Sequence, residues 1–423
     1  MPAMKILITG AGIAGTALAF WLSKLGHNVT VIERASALRT SGLQVDLRGP
    51  GIQVLRRMKL EETFRQHAVA EQGLQLVDRK GRRWGYFGAN RSGKGLQSFT
   101  TDFEIMRGDL CRMLVGACGN RARFAFGVHA VKVTEVDEGV DVVFSDGVAD
   151  RFDLVVGADG VGSRMRRMML GAGDGSEENP GYHSIGVYAG YCTIPQEVQE
   201  GEEYNATAFI APGNRGIMIR RHDPHRVQAY VFCNPRSSER LLNSTRGDIE
   251  EEKRALAEVF RNAGWKCEEI LQALVESDDF YCERMGVVKL HAWSRGRIAL
   301  VGDAAYCPSA MTGMGTPCAL TGAYILAGEI GGHCGTIASK ENVTAALEAY
   351  DRKFRPFVDQ VQKGLTDTDN YMDKFPASPL GVSVIYLIFW LASLLRLDII
   401  AQWVLREKTN SWELPEYPKM DTL

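Results

Sequence analysis

The sequence predicts an α/β protein built as a discontinuous Rossmann-like lobe, with an antiparallel-sheet domain inserted into it and helices at its C-terminal end. Three observations carry this. Residues 5–33 read strand, glycine-rich turn, amphipathic helix and strand, the order of a dinucleotide-binding unit. Residues 296–320 read strand, acid, turn, Gly-x-Gly and helix, so the chain re-enters the same lobe much later. Between them, residues 181–235 change to long strands with turn signals, the pattern of an antiparallel sheet with one wet face.

A chain of 423 residues buries a large core and divides into two or more lobes. Charged residues make up 24% and the net charge is -2, which gives no electrostatic reason to expect nucleic acid or an anionic membrane as partner. The nine cysteines are scattered, odd in number and without a C-x-x-C pair. Reduced thiols in a cytoplasmic setting are expected, with neither a disulfide framework nor a metal site. No signal peptide is read before the first strand, Lys5 to Thr9.

In the first unit, G-A-G-I-A-G follows K-I-L-I-T. Gly10 permits the tight turn, Gly12 lets backbone approach a pyrophosphate, and Gly15 allows helix and strand to lie close. The helix runs to Leu25 and the strand N-V-T-V-I-E ends at Glu33, followed by Arg34. The Glu33 carboxylate is placed to accept from adenosine ribose hydroxyls, which disfavours a 2′-phosphate and hence NADP as the ligand bound here. A second glycine cluster, Gly171 to Gly175, follows a basic helix-like stretch instead of a strand and reads as a linker.

Arg39 to Gly49, R-T-S-G-L-Q-V-D-L-R-G, spaces Arg39, Asp46 and Arg48 along a polar stretch that a solvated loop would also explain. Gly73 to Phe87 alternates as a hairpin around D-R-K-G-R-R and is expected to join the second sheet. Phe103 to Cys118 returns to strand, then helix. Arg107 sits at the junction, within reach of a cofactor phosphate or ring edge, or else of a helix-end carboxylate. Alternating runs at 130–136, 140–144 and 152–156 end in G-A-D-G-V-G-S-R-M-R. Asp159 and Gly160 thereby reach the carboxyl edge where open α/β folds bind ligands, with Ser163 and Arg166 on the helix that follows.

In the inserted sheet Tyr188, Met218, Tyr230 and Phe232 are candidates to face a pocket, although an aromatic stripe on a sheet is more commonly core. Residues 248–274 read as helical, and 289–303 return the chain to the first lobe. There Asp303, at a strand tip, is placed to accept from sugar-like hydroxyls, and the chain turns through Pro308. Gly313 and Gly315 let backbone N–H groups approach a flat ring, and the helix over 316–330 aims its positive end at it. Glycines acting only as caps are the plain alternative.

A helix around 342–362 precedes an uncharged run, Phe375 to Leu395. Apolar on all sides, that run must be buried, associated with membrane or in contact with an apolar ligand. Its uninterrupted part after Pro379 is 16 residues long, short of the roughly 20 that span a bilayer. A helix beside the active-site mouth is expected, with peripheral membrane contact through 380–405 as the alternative.

Three motifs occur in order: G-A-G-I-A-G with Glu33, G-A-D-G-V-G-S-R-M-R, and G-D-A-A-Y-C-P-S-A-M-T-G-M-G. With them the sequence resembles the single-component FAD-dependent aromatic monooxygenases of the p-hydroxybenzoate hydroxylase fold, over nearly its whole length. Through Q-V-D-L-R-G, E-I-M-R-G-D-L, S-D-D-F-Y and G-A-Y-I-L-A-G-E it looks closest to the tetracycline-inactivating and polyketide-tailoring members. The resemblance implies that Glu33, Asp46, Arg107 and Asp303 contact FAD, that Gly313 to Gly315 lie against the isoalloxazine, and that Arg39 meets transiently bound NADPH. Arg34, Asp159, Pro308 and Met314 complete the expected cofactor contacts. Tyr188 and Arg215 are implied near the substrate, beside Met218, Tyr230 and Phe232.

Two departures stand out: Tyr306 replaces the usual His after D-A-A, and G-M-G-T-P replaces G-Q-G-x-N. Flavin binding is expected to survive them, with an altered ring environment. Pro317 falls at an early helix position that tolerates it.

The implied activity is insertion of one oxygen atom from O2, through a flavin hydroperoxide, into a bulky aromatic or polyketide-type substrate. The cofactor carries that chemistry, so no catalytic side chain is expected. A flavin oxidase or dehydrogenase on a polycyclic substrate, and a flavoprotein that only binds a small apolar molecule, are the alternatives. The expected domains are 1–72, 100–176 and 285–365 for FAD, 73–99 and 177–284 for substrate, and 366–423 as a C-terminal helical cap.

Overall fold

The computed structural model describes residues 3–40, 42–89, 101–172, 179–243, 248–334, 339–366, 371–395 and 412–421. The linker expected at 171–175 and the membrane-contact stretch expected at 380–405 therefore lie partly outside the described residues.

Strand β1 (Lys5–Thr9) is central to a six-stranded sheet ordered β17 (Ser294–Arg295), β18 (Ile298–Leu300), β11 (Leu154–Gly157), β1, β2 (Asn28–Glu33) and β7 (Ala122–Phe126). All pairs are parallel except β17 with β18. Leu154, Val155 and Val156 are buried like Ile6, Leu7 and Ile8, because helices cover the sheet. One cover is α1 (Ile13–Lys24) with α4 (Arg107–Cys118), α10 (Gly315–His333) and α11 (Lys340–Gln362). Trp21 meets Tyr324 edge-on at 5.3 Å where α1 crosses α10. A last short helix, α13 (Pro418–Asp421), and the Tyr417 before it close over Gly328 of α10.

The expected run at 152–156 proves to be two strands. Phe152 ends β10 (Ala149–Phe152), which pairs with β9 (Gly139–Phe144) and β8 (Ala130–Val136) in a separate antiparallel sheet. The chain crosses at Asp153, whose carboxylate accepts from the Lys5 N–H at 2.6 Å.

The second large sheet has seven strands: β16 (Tyr281–Val288), β12 (Tyr182–Pro195), β15 (Arg226–Cys233), β14 (Arg215–Asp223), β13 (Asn205–Ala211), β4 (Gly73–Val77) and β5 (Arg83–Gly88). The 73–87 hairpin joins it through the parallel pair β4 with β13. One face is covered by α6 (Glu239–Asn243), α7 (Ile249–Val259) and α8 (Cys267–Glu276). The single helix expected over 248–274 is broken because Asn262, Gly264 and Trp265 all take positive φ. A short ribbon, β3 (Gln44–Asp46) with β6 (Glu104–Met106), lies where the two large sheets meet. Beside it run α2 (Pro50–Arg57) and α3 (Glu61–Gln66), while α5 (Arg164–Leu170) and α9 (Asp303–Tyr306) start at strand tips of the parallel sheet.

The apolar C-terminal run forms α12 (Pro379–Leu394), docked along β5 and β13. The Tyr386 hydroxyl approaches the Val77 carbonyl at 2.7 Å and accepts from the Ile210 N–H at 3.2 Å, meeting backbone groups where β4 and β13 part. Ser393 Oγ accepts from Tyr86 N–H and donates to its carbonyl, each at 3.0 Å, so the helix blunts the sheet edge. Among the described residues no helix is long and apolar enough to cross a membrane.

Candidate functional site

At the carboxyl ends of β1 and β2 a cavity of about 620 Å³ is lined by Gly10, Glu33, Arg34, Asp159, Arg164 and Asn179, among others. Glu33 is held rigidly: its carboxylate accepts from the N–H groups of Ala11 at 3.1 Å and Ala35 at 3.0 Å. Gly10 has φ +106, and a Cβ there would lie 2.5 Å from the Ala158 carbonyl; one at Gly15 would lie 2.0 Å from the Gly10 carbonyl. Side chains are excluded at both positions, so α1 can start tight against the strand tips. Gly12 differs, since a Cβ there would meet only the Arg107 guanidinium, 3.9 Å away.

Asp159 lines the cavity but turns its carboxylate onto the start of α5, accepting from Ser163 Oγ and from the N–H groups of Arg164 and Met165. Ser163 caps the same helix through the Arg166 N–H at 2.9 Å. Arg166, fully buried, donates to the Ala304 carbonyl at 2.7 Å and to Val161 and Asn179, which ties α5 to α9. The motif thus braces the tip of β11.

Arg107 is the first residue of α4 and donates its N–H to the Leu43 carbonyl at 3.0 Å, with its side-chain stem against Gly42. Asp46 is half-buried and paired with the buried Arg48 at 3.0 Å. Arg34 and Arg39 stand exposed on the loop after β2. Asp303 opens α9 and is accessible to solvent, yet enough protein surrounds it that burial pushes its carboxyl above the ordinary range, opposed first by Arg107. A carboxylate held this way gains from hydroxyl donors that replace water.

Pro308 is buried, and Ser309 after it takes φ 65 and ψ 145, a conformation that side chains disfavour. Gly313 follows at φ +64. Cβ atoms at Gly313 and Gly315 would project into open space, while Met314 between them is buried and ends just before α10. The result is a bare backbone ledge at a helix N-terminus. Pro317 sits in the first turn of α10, close against Gly51 of α2.

The Tyr306 substitution does not reach this ledge. Its ring lies inside the lobe, 4.7 Å from Trp293, its hydroxyl is 3.0 Å from that of Tyr350, and Gly322 leaves room for it. The altered ring environment expected from Tyr306 is therefore corrected to a repacked interior between α10 and α11.

Strand alternation divides the expected substrate residues between two faces of the seven-stranded sheet. Met218, Tyr230 and Phe232 share the face on which Leu43 and Met311 lie, beside the ledge. Tyr188 and Arg215 do not. Tyr188 is buried under α7 and α8 with Arg284 over its ring, and Arg215 is spent on the carbonyls of Pro212 and Val259. Both expectations are corrected by the two-residue period of β12 and β14.

The same period brings forward residues that the sequence reading passed over. Tyr191 joins Tyr230 at 5.6 Å and Phe232 at 6.3 Å, with Tyr281 tilted over it at 4.8 Å. Its hydroxyl donates to Glu283 at 3.3 Å. Tyr281 is 41% exposed, so it forms the rim of this aromatic floor. Counting Tyr191 and Tyr230 on one alternation would have found this floor.

The chain matches the FAD binding domain family over residues 3–364. It is 45% identical to the FAD-dependent monooxygenase asL4 of Sarocladium schorii, with 99% of each chain covered. It is 38% identical to the flavin-dependent monooxygenase eupH of a Phoma species, over 92% of this chain and 91% of that one. Among solved structures it is similar to the tetracycline destructase Tet(51), with a TM-score of 0.76 and 28% identity over 98% of this chain and 100% of that one.

Proposed function

This chain belongs to the FAD binding domain family and is a flavin-dependent monooxygenase, and from that premise we propose that it uses NADPH to place one oxygen atom of O2 in a bulky aromatic or polyketide-type substrate. The observation that carries this is the bare ledge of Gly313 and Gly315 beside an aromatic floor. A flat ring can lie against the ledge because no side chain projects there.

The residues fit FAD along its length. Glu33, with Arg34 and Asp159 around it, would receive the adenosine; Gly10, Gly12 and Gly15 the pyrophosphate; Asp303, Asp46 and Arg107 the middle of the chain and ring edge; Pro308 and Gly313 to Gly315, with Met314, the isoalloxazine. When bound, FAD accepts hydride and activates oxygen. The protein holds and shields. The N-terminus of α10 favours negative charge at the ledge, by about 0.3–1 kcal/mol in exposed settings. Leu43, Met311 and the floor of Tyr191, Tyr230 and Phe232 exclude water, which favours oxygen transfer over release of hydrogen peroxide. Arg39, exposed near Arg107, is the proposed contact for transient NADPH.

The likeness to a tetracycline destructase supports a polycyclic substrate, and α12, packed against Ala208 and Ile210 on the sheet face that carries Met218, supports a cap for it. On the same reading, cofactor and substrate portions divide after residues 72, 99, 176 and 284, with the C-terminal cap beginning after 365, and the protein works in the cytoplasm. The test is anaerobic reduction by NADPH in a stopped-flow instrument, with and without a panel of tetracyclines and aromatic polyketides. One compound is expected to accelerate reduction, and labelled O2 is expected to leave one labelled atom in its product. If NADPH never reduces the flavin, or no label enters product, the oxidase reading replaces this one.

A further inference from the structure

Where the ribbon of β3 and β6 meets the seven-stranded sheet, two carboxylates are buried around one guanidinium. Glu71 takes a two-pronged contact from Arg220, at 2.8 Å and 2.7 Å. Glu104 meets a second nitrogen of Arg220 and the Gln44 side-chain amide, and accepts from the Thr101 N–H at 3.1 Å; the Gln44 Oε1, which has no other partner among the described residues, accepts the O–H of a neutral Glu104 once that amide is flipped. Glu71 is 2% exposed, Glu104 0% and Arg220 9%. None of these groups is given a task by the oxygen-transfer reading.

Two features make the cluster more than an ion pair. It is wired to the ribbon: the Gln44 N–H and the Tyr230 hydroxyl both donate to Gln228, whose amide donates to the Gly42 carbonyl at 3.2 Å. Gly42 lies against the stem of Arg107, and Asp46 is two residues beyond Gln44. It also meets solvent, because the Arg220 side chain is 10% exposed.

We propose that Glu71, Glu104, Arg220 and Gln44 form a proton-linked register lock that seats β3 on the substrate sheet, with Glu71 as the anionic partner of Arg220 and Glu104 as the member that holds the proton. The proton comes from solvent and no bond to carbon changes. Glu71 takes this role because it has the fork, the geometry that most strongly fixes a charge pair. Two like charges around one guanidinium in a dry site favour one neutral acid. Burial drives Glu104 well above the ordinary carboxyl range; Arg220 opposes this, and Asp46 and Glu71 reinforce it. Tyr230 faces the cluster from β15, and its own hydroxyl is pushed up by burial. These are positioning residues, acting on cofactor contacts through Gly42, Asp46 and Arg107. The inference rests on the FAD placement proposed above.

The test compares wild type, Glu104→Gln, Glu71→Gln and Arg220→Met in the full chain. The dissociation constant for FAD is followed by flavin fluorescence from pH 6 to 9, and folding is checked by circular dichroism. Glutamine mimics a protonated acid, so Glu104→Gln is expected to keep wild-type affinity at pH 6 and to lose the weakening that wild type shows at higher pH. That weakening should be about tenfold for each unit of pKa difference between bound and free protein. Glu71→Gln and Arg220→Met are expected to weaken binding about tenfold or more at every pH. Infrared difference spectra between the two pH limits should show loss of a protonated carboxyl band in wild type that is absent from Glu104→Gln. The proposal is overturned if folded Glu104→Gln binds as poorly as Glu71→Gln at pH 6, or if wild type and Glu104→Gln share one pH profile and one infrared spectrum. If wild type takes up no FAD at all, it is the cofactor placement that fails.

Discussion

Gly322 has no room for a side chain: a Cβ there would lie 1.9 Å from the Tyr306 hydroxyl. Gly322→Ala is therefore expected to cost about 1–3 kcal/mol in urea unfolding, part of it restored by adding Tyr306→Phe. Asp303 gives a prediction with a definite sign. Its folded carboxyl titrates above the ordinary range, chiefly through burial, so its own contribution to the stability of the FAD-free protein is full below that range and is lost as pH rises through the folded value. Asp303→Asn should flatten that slope in thermal melts of FAD-free protein while sharply weakening FAD retention; unchanged retention would remove Asp303 from the cofactor contacts. At this scale the sequence was only partly readable. Gly10 and Gly15 could be placed from spacing alone, because the tight strand-to-helix turn leaves few alternatives. Tyr306 could not, since the motif fixes its backbone and says nothing of where the ring points.

At the scale of elements, α12 shows what holds a helix that is apolar on every side. Val382 and Tyr386 are buried against the sheet, whereas Leu380 is 79% and Leu394 64% exposed. Tyr386→Phe removes the hydroxyl shared by Val77 and Ile210 and is expected to cost about 1–3 kcal/mol, read as a lowered melting temperature. The outward stripe sets the pocket cap against lipid contact. If capping is its task, Leu387→Lys should change substrate affinity and leave co-sedimentation with anionic vesicles unaltered; the reverse pattern would favour the membrane. The length and apolar character of this helix were plain in the sequence, but its docked side was not, because a helix without a polar face carries no periodic signal. In the inserted sheet the signal existed and was read incompletely. Period-two alternation separates Tyr188 from Tyr191 and Arg215 from Met218, and the structure obeys it.

Across the whole molecule, the proposed FAD site draws on β1, β2, β3, α4, α9 and α10, which lie far apart in the sequence. Binding should therefore stabilise the parallel-sheet lobe and the ribbon of β3 with β6 together. At a hundredfold excess over its dissociation constant FAD is expected to add about 2.7 kcal/mol, seen as one cooperative shift of the melt; a shift confined to part of the transition would place the cofactor in one lobe alone. The overall architecture was legible because strand, glycine turn and helix recur in order at 5–33 and 296–320. The parallel edge strand β7 carries little signal, since A-R-F-A-F is short and half-exposed, and β10 reads as continuous with β11 because one residue, Asp153, separates them.

The central position of β1 has a consequence for the chain's birth. Its neighbours are β2 and β11, and β11 in turn needs β18 at Ile298–Leu300. At about 5–20 residues per second of synthesis, β1 waits on the order of 15–60 s for β18 before its sheet can be completed. During that interval apolar strand edges of a half-built sheet are open to other nascent chains. Yield in a host cell is therefore expected to depend on chaperones and on translation speed more than on the stability of the finished fold.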